Sequence, residues 1–138
     1  MEAKRIRYPI GVQTFDKIIE GGYLYIDKTG YVHELADTYN YVFLSRPRRF
    51  GKSLLSSTFH SYFAGEMELF EGLEAGRLKK EWTRHPVFHF DMSTAKHLNG
   101  GQLQRILGYK LSEYEKKWGA DSGIADDDIN ARFERLVK

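Results

Sequence analysis

Hydrophobic and polar positions follow the helical period through much of the chain. Apolar residues recur three to four positions apart in five segments, and this spacing predicts an amphipathic helix in each. Gly21-Gly22 and Gly65 are typical helix stops, and Asp128 is a typical N-cap. The predicted helices are residues 12–20, 29–38, 52–64, 100–118 and 129–138, with a helical but irregular connection over 68–82.

Three other segments are short and rich in aromatic and β-branched residues, and this pattern is typical of strands. They are "YLYID" (Tyr23–Asp27), "YVFLS" (Tyr41–Ser45) and "PVFHFDMS" (Pro86–Ser93). Alternation of such strands with helices predicts an α/β fold, a three-layer α/β/α core around a mainly parallel sheet. A parallel sheet needs more strands than these, and the last helix reaches Lys138 without a stop signal. We therefore expect the chain to be the N-terminal part of a larger protein, with its fold truncated on the C-terminal side.

Composition adds mainly exclusions. The 21 basic and 19 acidic residues leave a net charge of +2, so no global charge points to nucleic acid or to an anionic membrane. Cysteine is absent from the 138 residues, which excludes disulfides and thiolate metal sites. No stretch approaches the roughly 20 apolar residues of a membrane span. These features predict a cytoplasmic protein without membrane partners, and they say nothing of the oligomeric state.

The densest candidate chemistry follows the second predicted strand, where "RPRRFGKS" opens a helix. Its end matches the phosphate-loop pattern G-x-x-x-x-G-K-[ST] at Gly51, Lys52 and Ser53. Glycine lets the backbone approach a phosphate, and the free N–H groups from Gly51 to Leu54 favour an anion. Lys52 can neutralise the outer phosphates, and the Ser53 hydroxyl can bind Mg²⁺. The pattern predicts a site for ATP with magnesium.

The loop departs from that pattern where the first glycine is expected. Arg46 takes that position, and Pro47 beside it has no N–H to donate. Arg48 and Arg49 can compensate because a guanidinium binds phosphate through two hydrogen bonds. Two alternatives remain open: the loop is an exposed basic turn, or its arginines hold nucleic-acid phosphates in a module that does not bind nucleotide.

Three stretches together resemble one known family: "GVQTFDKIIEGGYLYIDKTGYVHELAD", "YVFLSRPRRFGKSLLSSTFHSYF" and "PVFHFDMS". The chain is similar over residues 10–118 to the AAA-ATPase-like family of bacterial P-loop proteins. The resemblance implies a P-loop NTPase-like core in which the arginine-rich loop is the Walker A motif. It also marks Asp27, Lys28 and Thr29, which we expect near the nucleotide. The implied nucleotide-binding residues are Arg48, Arg49, Phe50, Gly51, Lys52, Ser53 and Leu54, with Ser53 on the metal.

The same resemblance divides the chain into successive parts of one ATPase domain. Residues 1–9 form a leader, 10–40 a helix–strand–helix, and 41–65 the P-loop unit. Residues 66–120 carry the third strand with its helices, and 121–138 form an incomplete helical end. Longer relatives often carry a PD-(D/E)XK nuclease-like domain, which this sequence lacks, so nuclease activity is not carried over.

The family's second acidic motif, a strand ending in Asp and followed by Glu, is missing from this sequence. Asp91 ends an apolar run, but Met92 and Ser93 follow it, so the Glu that activates water has no counterpart. We expect hydrolysis by this chain to be weak or absent. No catalytic residue is predicted, and whether the full-length protein is an ATPase stays open.

Three further groups of residues have both a functional and a structural interpretation. His85, His89 and Asp91 are spaced to share one strand face, but buried or interface histidines explain them better than a metal site. Lys79, Lys80 and Arg84 beside Trp82 could form a small nucleic-acid patch, although a solvated helix face is the commoner explanation. Asp126, Asp127 and Asp128 lack the alternating spacing of a calcium loop and suit helix capping.

Overall fold

A computed structural model describes residues 5–47, 49–91, 100–118 and 129–137 of the chain. The predicted helices are confirmed in order, although the first is shorter than expected. A short 3-10 turn, Met67–Phe70, precedes the fourth helix. Asp128, the predicted N-cap of the last helix, and the acidic loop before it lie outside the described residues. The helices are α1 (Phe15–Glu20), α2 (Thr29–Thr38), α3 (Lys52–Phe63), α4 (Glu74–Leu78), α5 (Gly100–Trp118) and α6 (Ile129–Val137).

The predicted α/β fold is wrong for the described part of the chain. The β-structure in the described residues is a single parallel bridge between Arg7 and Tyr23. Next to this bridge, the Leu24 N–H donates to the Arg7 carbonyl at 2.8 Å. Tyr41–Ser45 and residues 86–91 contain no strand, and Met92 and Ser93 lie outside the described residues. An apolar run becomes a strand only by hydrogen bonding to a neighbouring strand, and no described segment provides one. The expected three-layer core with a mainly parallel sheet is therefore replaced by packed helices.

The chain divides into two compact units, residues 1–87 and 88–138. In the first unit, α1 packs on α3 and α2 packs on α4. Phe15 and Phe70 lie at the centre, with ring centroids 4.8 Å apart and no exposed surface. We call the buried residues around them the core cluster: Phe15, Val32, Tyr62, Leu69, Phe70 and Ala75.

Glycine allows α4 to pack closely against the preceding turn. A Cβ at Gly76 would overlap the carbonyl oxygen of Phe70, and one at Gly30 would lie 2.5 Å from the Glu74 carboxylate. The Phe70 carbonyl is backbone and cannot give way, so position 76 needs glycine for packing, whereas the exposed Glu74 side chain could move away from a Cβ at position 30. Gly72, between the turn and α4, has a left-handed backbone with φ +78°.

Residues 41–47 differ from the rest of the first unit, and we call them the open segment. Every residue in it is exposed, with Tyr41 at 95% and Phe43 at 92% of their full surface. Within the described part of the chain, none of these residues makes a hydrogen bond or ion pair. The open segment contains the predicted strand Tyr41–Ser45, which is therefore exposed along its whole length.

The second unit contains α5, α6 and residues 88–91. Phe88 and Phe90 both contact the rings of Tyr114 and Phe133, as expected for alternate residues of a strand-like segment. The Tyr114 hydroxyl accepts from the His89 N–H and donates to the His89 carbonyl. A side chain thus satisfies the backbone groups that a neighbouring strand would have bonded.

One buried ion pair joins α5 to α6. The Arg132 guanidinium donates through two nitrogens to the Glu115 carboxylate, at 3.0 Å each, and also to the Ser112 hydroxyl. Bidentate geometry offsets the cost of removing both charges from water. The pair fixes the register of the two helices.

Candidate functional site

The predicted phosphate loop ends where α3 begins. Gly51 takes a left-handed backbone with φ +76°, directly before Lys52, the first helical residue. A Cβ there would meet no atom within 4 Å, so glycine is needed for its backbone angle and not for space. The Leu55 N–H donates to the Gly51 carbonyl at 2.9 Å as the first bond of the helix. The N–H groups of Lys52, Ser53 and Leu54 therefore precede the helical hydrogen-bond ladder.

No side chain in the described part of the chain caps the start of α3. Gly51, Lys52 and Ser53 are all exposed there. A 12-residue helix directs its partial positive charge at this end, and its free donors favour an anion. Gly51, Lys52 and Ser53 thus lie together at an exposed helix start, where the sequence predicts phosphate binding.

The strained position of the loop is Arg49 and not Arg46. Among the described residues, Arg49 is the one non-glycine with a positive φ, at +66°. Left-handed backbone costs a residue with a Cβ roughly 1–2 kcal/mol. Arg46 replaces the expected first glycine without taking that conformation. Strain of this kind concentrates at functional sites, which makes the turn before Gly51 a candidate contact for ligand.

The loop's basic side chains face solvent. Arg46, Arg49 and Phe50 are exposed, and none of the ion pairs in the described residues involves the loop's arginines or Lys52. Arg48, also predicted to bind phosphate, lies outside the described residues. The guanidinium groups of Arg46 and Arg49 and the ammonium group of Lys52 therefore form no ion pair with a described residue.

A cavity of about 510 Å³ lies beside Lys52. Its walls include Leu55 and Phe59 of α3 and Val42 and Leu44 of the open segment. This lining is mainly apolar. Many ligand sites have such a lining, and so do apolar faces that a further segment of protein covers.

The Asp27-Lys28-Thr29 motif has a structural role that sequence reasoning missed. One oxygen of Asp27 accepts from the Thr29 N–H at 2.9 Å and from the Thr29 hydroxyl at 2.6 Å. Its other oxygen accepts from the Glu74 N–H at 2.7 Å, and the Thr29 hydroxyl oxygen accepts from the Ala75 N–H at 2.9 Å. Asp27 and Thr29 thus tie the start of α2 to the start of α4.

Electrostatics support this role for Asp27. Burial acts to raise the pKa of its carboxyl group, but the hydrogen bonds from Thr29 and Glu74 and the nearby charge of Arg77 lower it more. As a result, the pKa of Asp27 lies below the ordinary aspartate value. The carboxylate is therefore ionised at neutral pH and accepts hydrogen bonds at two helix starts.

A second unpredicted contact joins α1 to α3. The Ser57 hydroxyl accepts from the Phe15 N–H at 3.0 Å and donates to the Leu54 carbonyl at 2.8 Å. The sequence shows only that serines are frequent after the loop. Because Phe15 and Ser57 are 42 positions apart, no local pattern could have paired them.

Other predicted candidates do not assemble into a site. No group of three or more His, Cys, Asp or Glu residues suited to a metal occurs among the described residues. His85 lies in the first unit, where its N–H donates to the Phe63 carbonyl at 2.9 Å, whereas His89 and Asp91 belong to the second. No described helix is both long enough and apolar enough to cross a membrane.

Comparison with known proteins gives one family and one informative relative. The model of the AAA-ATPase-like family, described as predicted AAA-ATPase, matches residues 9–138. An uncharacterized protein in the vnfD 5′ region of Azotobacter chroococcum mcd 1 is 38% identical over 136 residues. That alignment covers 97% of this chain but 26% of the relative, so the chain spans about a quarter of the relative's length. No solved structure matches the chain.

The family match covers the arginine-rich loop, the start of α3 and the Asp27–Thr29 motif, all within residues 9–138. A nuclease-like domain is not shown by either comparison. The family match over residues 9–138 establishes the relationship. The chain therefore belongs to the AAA-ATPase-like family of predicted ATPases.

Proposed function

We propose that the loop and the start of α3 bind the phosphates of ATP together with Mg²⁺. The observation that carries this proposal is the uncapped, exposed start of α3 behind the left-handed Gly51. Membership of a family of predicted ATPases supports it. The residues that would hold the nucleotide are Arg48, Arg49, Phe50, Gly51, Lys52, Ser53 and Leu54.

Each group has a role that follows from its chemistry. The N–H groups at the start of α3 donate to phosphate oxygens, and the Lys52 ammonium neutralises the outer phosphates. The Ser53 hydroxyl is the magnesium ligand, and the metal would offset the remaining phosphate charge. Arg49 adds a guanidinium whose two parallel donors suit a phosphate group.

Hydrolysis by this chain alone is proposed to be weak or absent. Magnesium-dependent phosphoryl transfer also needs an acidic residue to hold the metal and another group to orient the attacking water. The sequence has no strand ending in Asp followed by Glu, and Asp91 is followed by Met92. Rapid magnesium-dependent release of phosphate by the purified chain would contradict this part of the proposal.

Calorimetric titration of the chain with ATP, with and without Mg²⁺, tests the binding site. Saturable binding that Lys52→Ala weakens at least tenfold, and that Ser53→Ala makes insensitive to magnesium, is expected. Lys17→Ala is the matched control, because Lys17 is an exposed helical lysine outside the loop. Binding that survives Lys52→Ala unchanged would place ATP elsewhere.

The same titration distinguishes the nucleic-acid alternative. If the arginines held nucleic-acid phosphates, affinity for an oligonucleotide would fall steeply with salt and would be lost when Arg48 and Arg49 are replaced by Gln. The ATP proposal expects Lys52 and magnesium to dominate instead. Tight oligonucleotide binding without ATP binding would favour the alternative.

A further inference from the structure

A second cavity lies on the first unit, away from the arginine-rich loop. It has a volume of about 510 Å³, within the range of ligand pockets, and is open to solvent. It lies between the 3-10 turn and α4, with Met67, Phe70 and Trp82 as apolar lining. No residue from Arg46 to Leu54 lines it, so it does not depend on the proposed ATP site.

Basic side chains dominate the charge of this cavity. Arg77, Lys79 and Lys80 line it, and the one carboxylate among the lining residues is that of Glu71. None of the three cations forms an ion pair with a described residue. The charge of Arg77 also acts on the nearby Asp27 carboxylate, but three cations against two carboxylates still leave an excess of positive charge. Such an excess attracts a dianion more strongly than a monoanion.

Lys79 is held in place by aromatic rings. Its ammonium nitrogen lies 3.9 Å from the ring centroid of Tyr62 and 4.8 Å from that of Trp82. These contacts fix a flexible side chain before any ligand arrives, which reduces the entropy lost on binding. Burial also lowers the pKa of Lys79, because the charged amine has lost part of its water. Packing against the two rings is enough to explain the position of Lys79. It does not explain why Arg77 and Lys80 lie at the same cavity.

We propose that this cavity binds a small phosphate monoester whose apolar body rests against Met67 and Trp82. The phosphate would lie among Arg77, Lys79 and Lys80. The cavity wall is rigid on the side of α4, since Gly76 packs directly on the Phe70 backbone. A preformed wall with a fixed cation suits a small ligand better than a flexible polymer.

Tryptophan fluorescence of the full chain provides the test. The chain has two tryptophans, so Trp118→Phe leaves Trp82, at the cavity, as the reporter. Titration with phenyl phosphate at fixed ionic strength should give a saturable change, and inorganic phosphate should bind at least threefold more weakly. Lys79→Gln and Lys80→Gln should each raise the midpoint at least fivefold, whereas Lys52→Ala and Lys17→Gln should leave it unchanged.

The outcomes separate this site from the ATP site and from nucleic acid. Lys80 is exposed, so Lys80→Gln keeps the test valid even if Lys79→Gln disturbs folding. A midpoint unchanged in Lys80→Gln, or no saturation, would overturn the proposal. Displacement of phenyl phosphate by an oligothymidylate with a steep salt dependence would also overturn it, in favour of a nucleic-acid surface. Loss of binding in Lys52→Ala would show that phenyl phosphate occupies the α3 site instead.

Discussion

The core cluster and the open segment belong to the same unit, yet they differ in nearly every contact. Phe70 has no exposed surface and contacts the rings of Phe15, Tyr62 and Trp82, whereas Phe43 is 92% exposed. Side-chain hydrogen bonds tie the helices around the cluster, but none reaches the open segment within the described residues. The stability of the unit therefore resides in its helices, and the stretch before the candidate loop contributes little to it.

The largest effect should come from a matched pair of Phe→Ala substitutions. Phe70→Ala should lower the free energy of unfolding by about 3–5 kcal/mol, because it empties the centre of the core. Phe43→Ala should change it by less than about 0.5 kcal/mol, because it removes an exposed ring. Urea unfolding followed by circular dichroism measures both. Equal losses in the two variants would show that Phe43 is buried in solution.

The intermediate effect concerns the tie between α2 and α4. Asp27→Ala removes the acceptor for the N–H groups of Thr29 and Glu74, and we expect a loss of about 1–2 kcal/mol in the free energy of unfolding. Asp37→Ala is the matched control, an exposed aspartate of α2. The prediction fails if the two substitutions are equally mild.

The pH dependence of the Asp27 effect has a definite sign. Since the pKa of Asp27 is lowered in the folded chain, its stabilising contribution is complete above the unfolded pKa, about 3.9. That contribution is lost as pH falls through the lower folded pKa. The difference in unfolding free energy between wild type and Asp27→Ala should therefore be constant from pH 7 to 5 and shrink below pH 4. A difference that grows on acidification would contradict the assigned role.

Local patterns predicted the helices because a helix is stabilised by groups three and four residues apart. The long apolar stripe from Leu103 to Trp118 and the stop at Gly65 needed no distant partner. Strands depend on distant partners, and that is why Tyr41–Ser45 was placed wrongly. In residues 88–90 the two phenylalanines contact the same two rings, as alternate residues of an extended segment do, although no sheet forms there.

The local geometry of the candidate loop was predicted only in part, for the same reason. Gly51, Lys52 and Ser53 are consecutive, so their position at the start of α3 followed from the sequence. Asp27 and Thr29 were expected near the nucleotide, but their partners Glu74 and Ala75 lie more than 40 positions away. The strained backbone of Arg49 could not be identified either, because the sequence departs from the phosphate-loop pattern at Arg46 and not at Arg49. Contacts between distant residues decided the role of Asp27 and Thr29.

The smallest effect concerns this strain. Arg49→Gly should relieve a left-handed backbone that costs roughly 1–2 kcal/mol, offset by the roughly 0.5–1 kcal/mol entropic cost of glycine. We expect a net gain of up to about 1 kcal/mol in unfolding free energy. Arg46→Gly, which relieves no such strain, should give no gain, and equal gains would refute the assignment. If Arg49→Gly is more stable but binds Mg-ATP more weakly, the strain is tolerated because the guanidinium is needed at the phosphate.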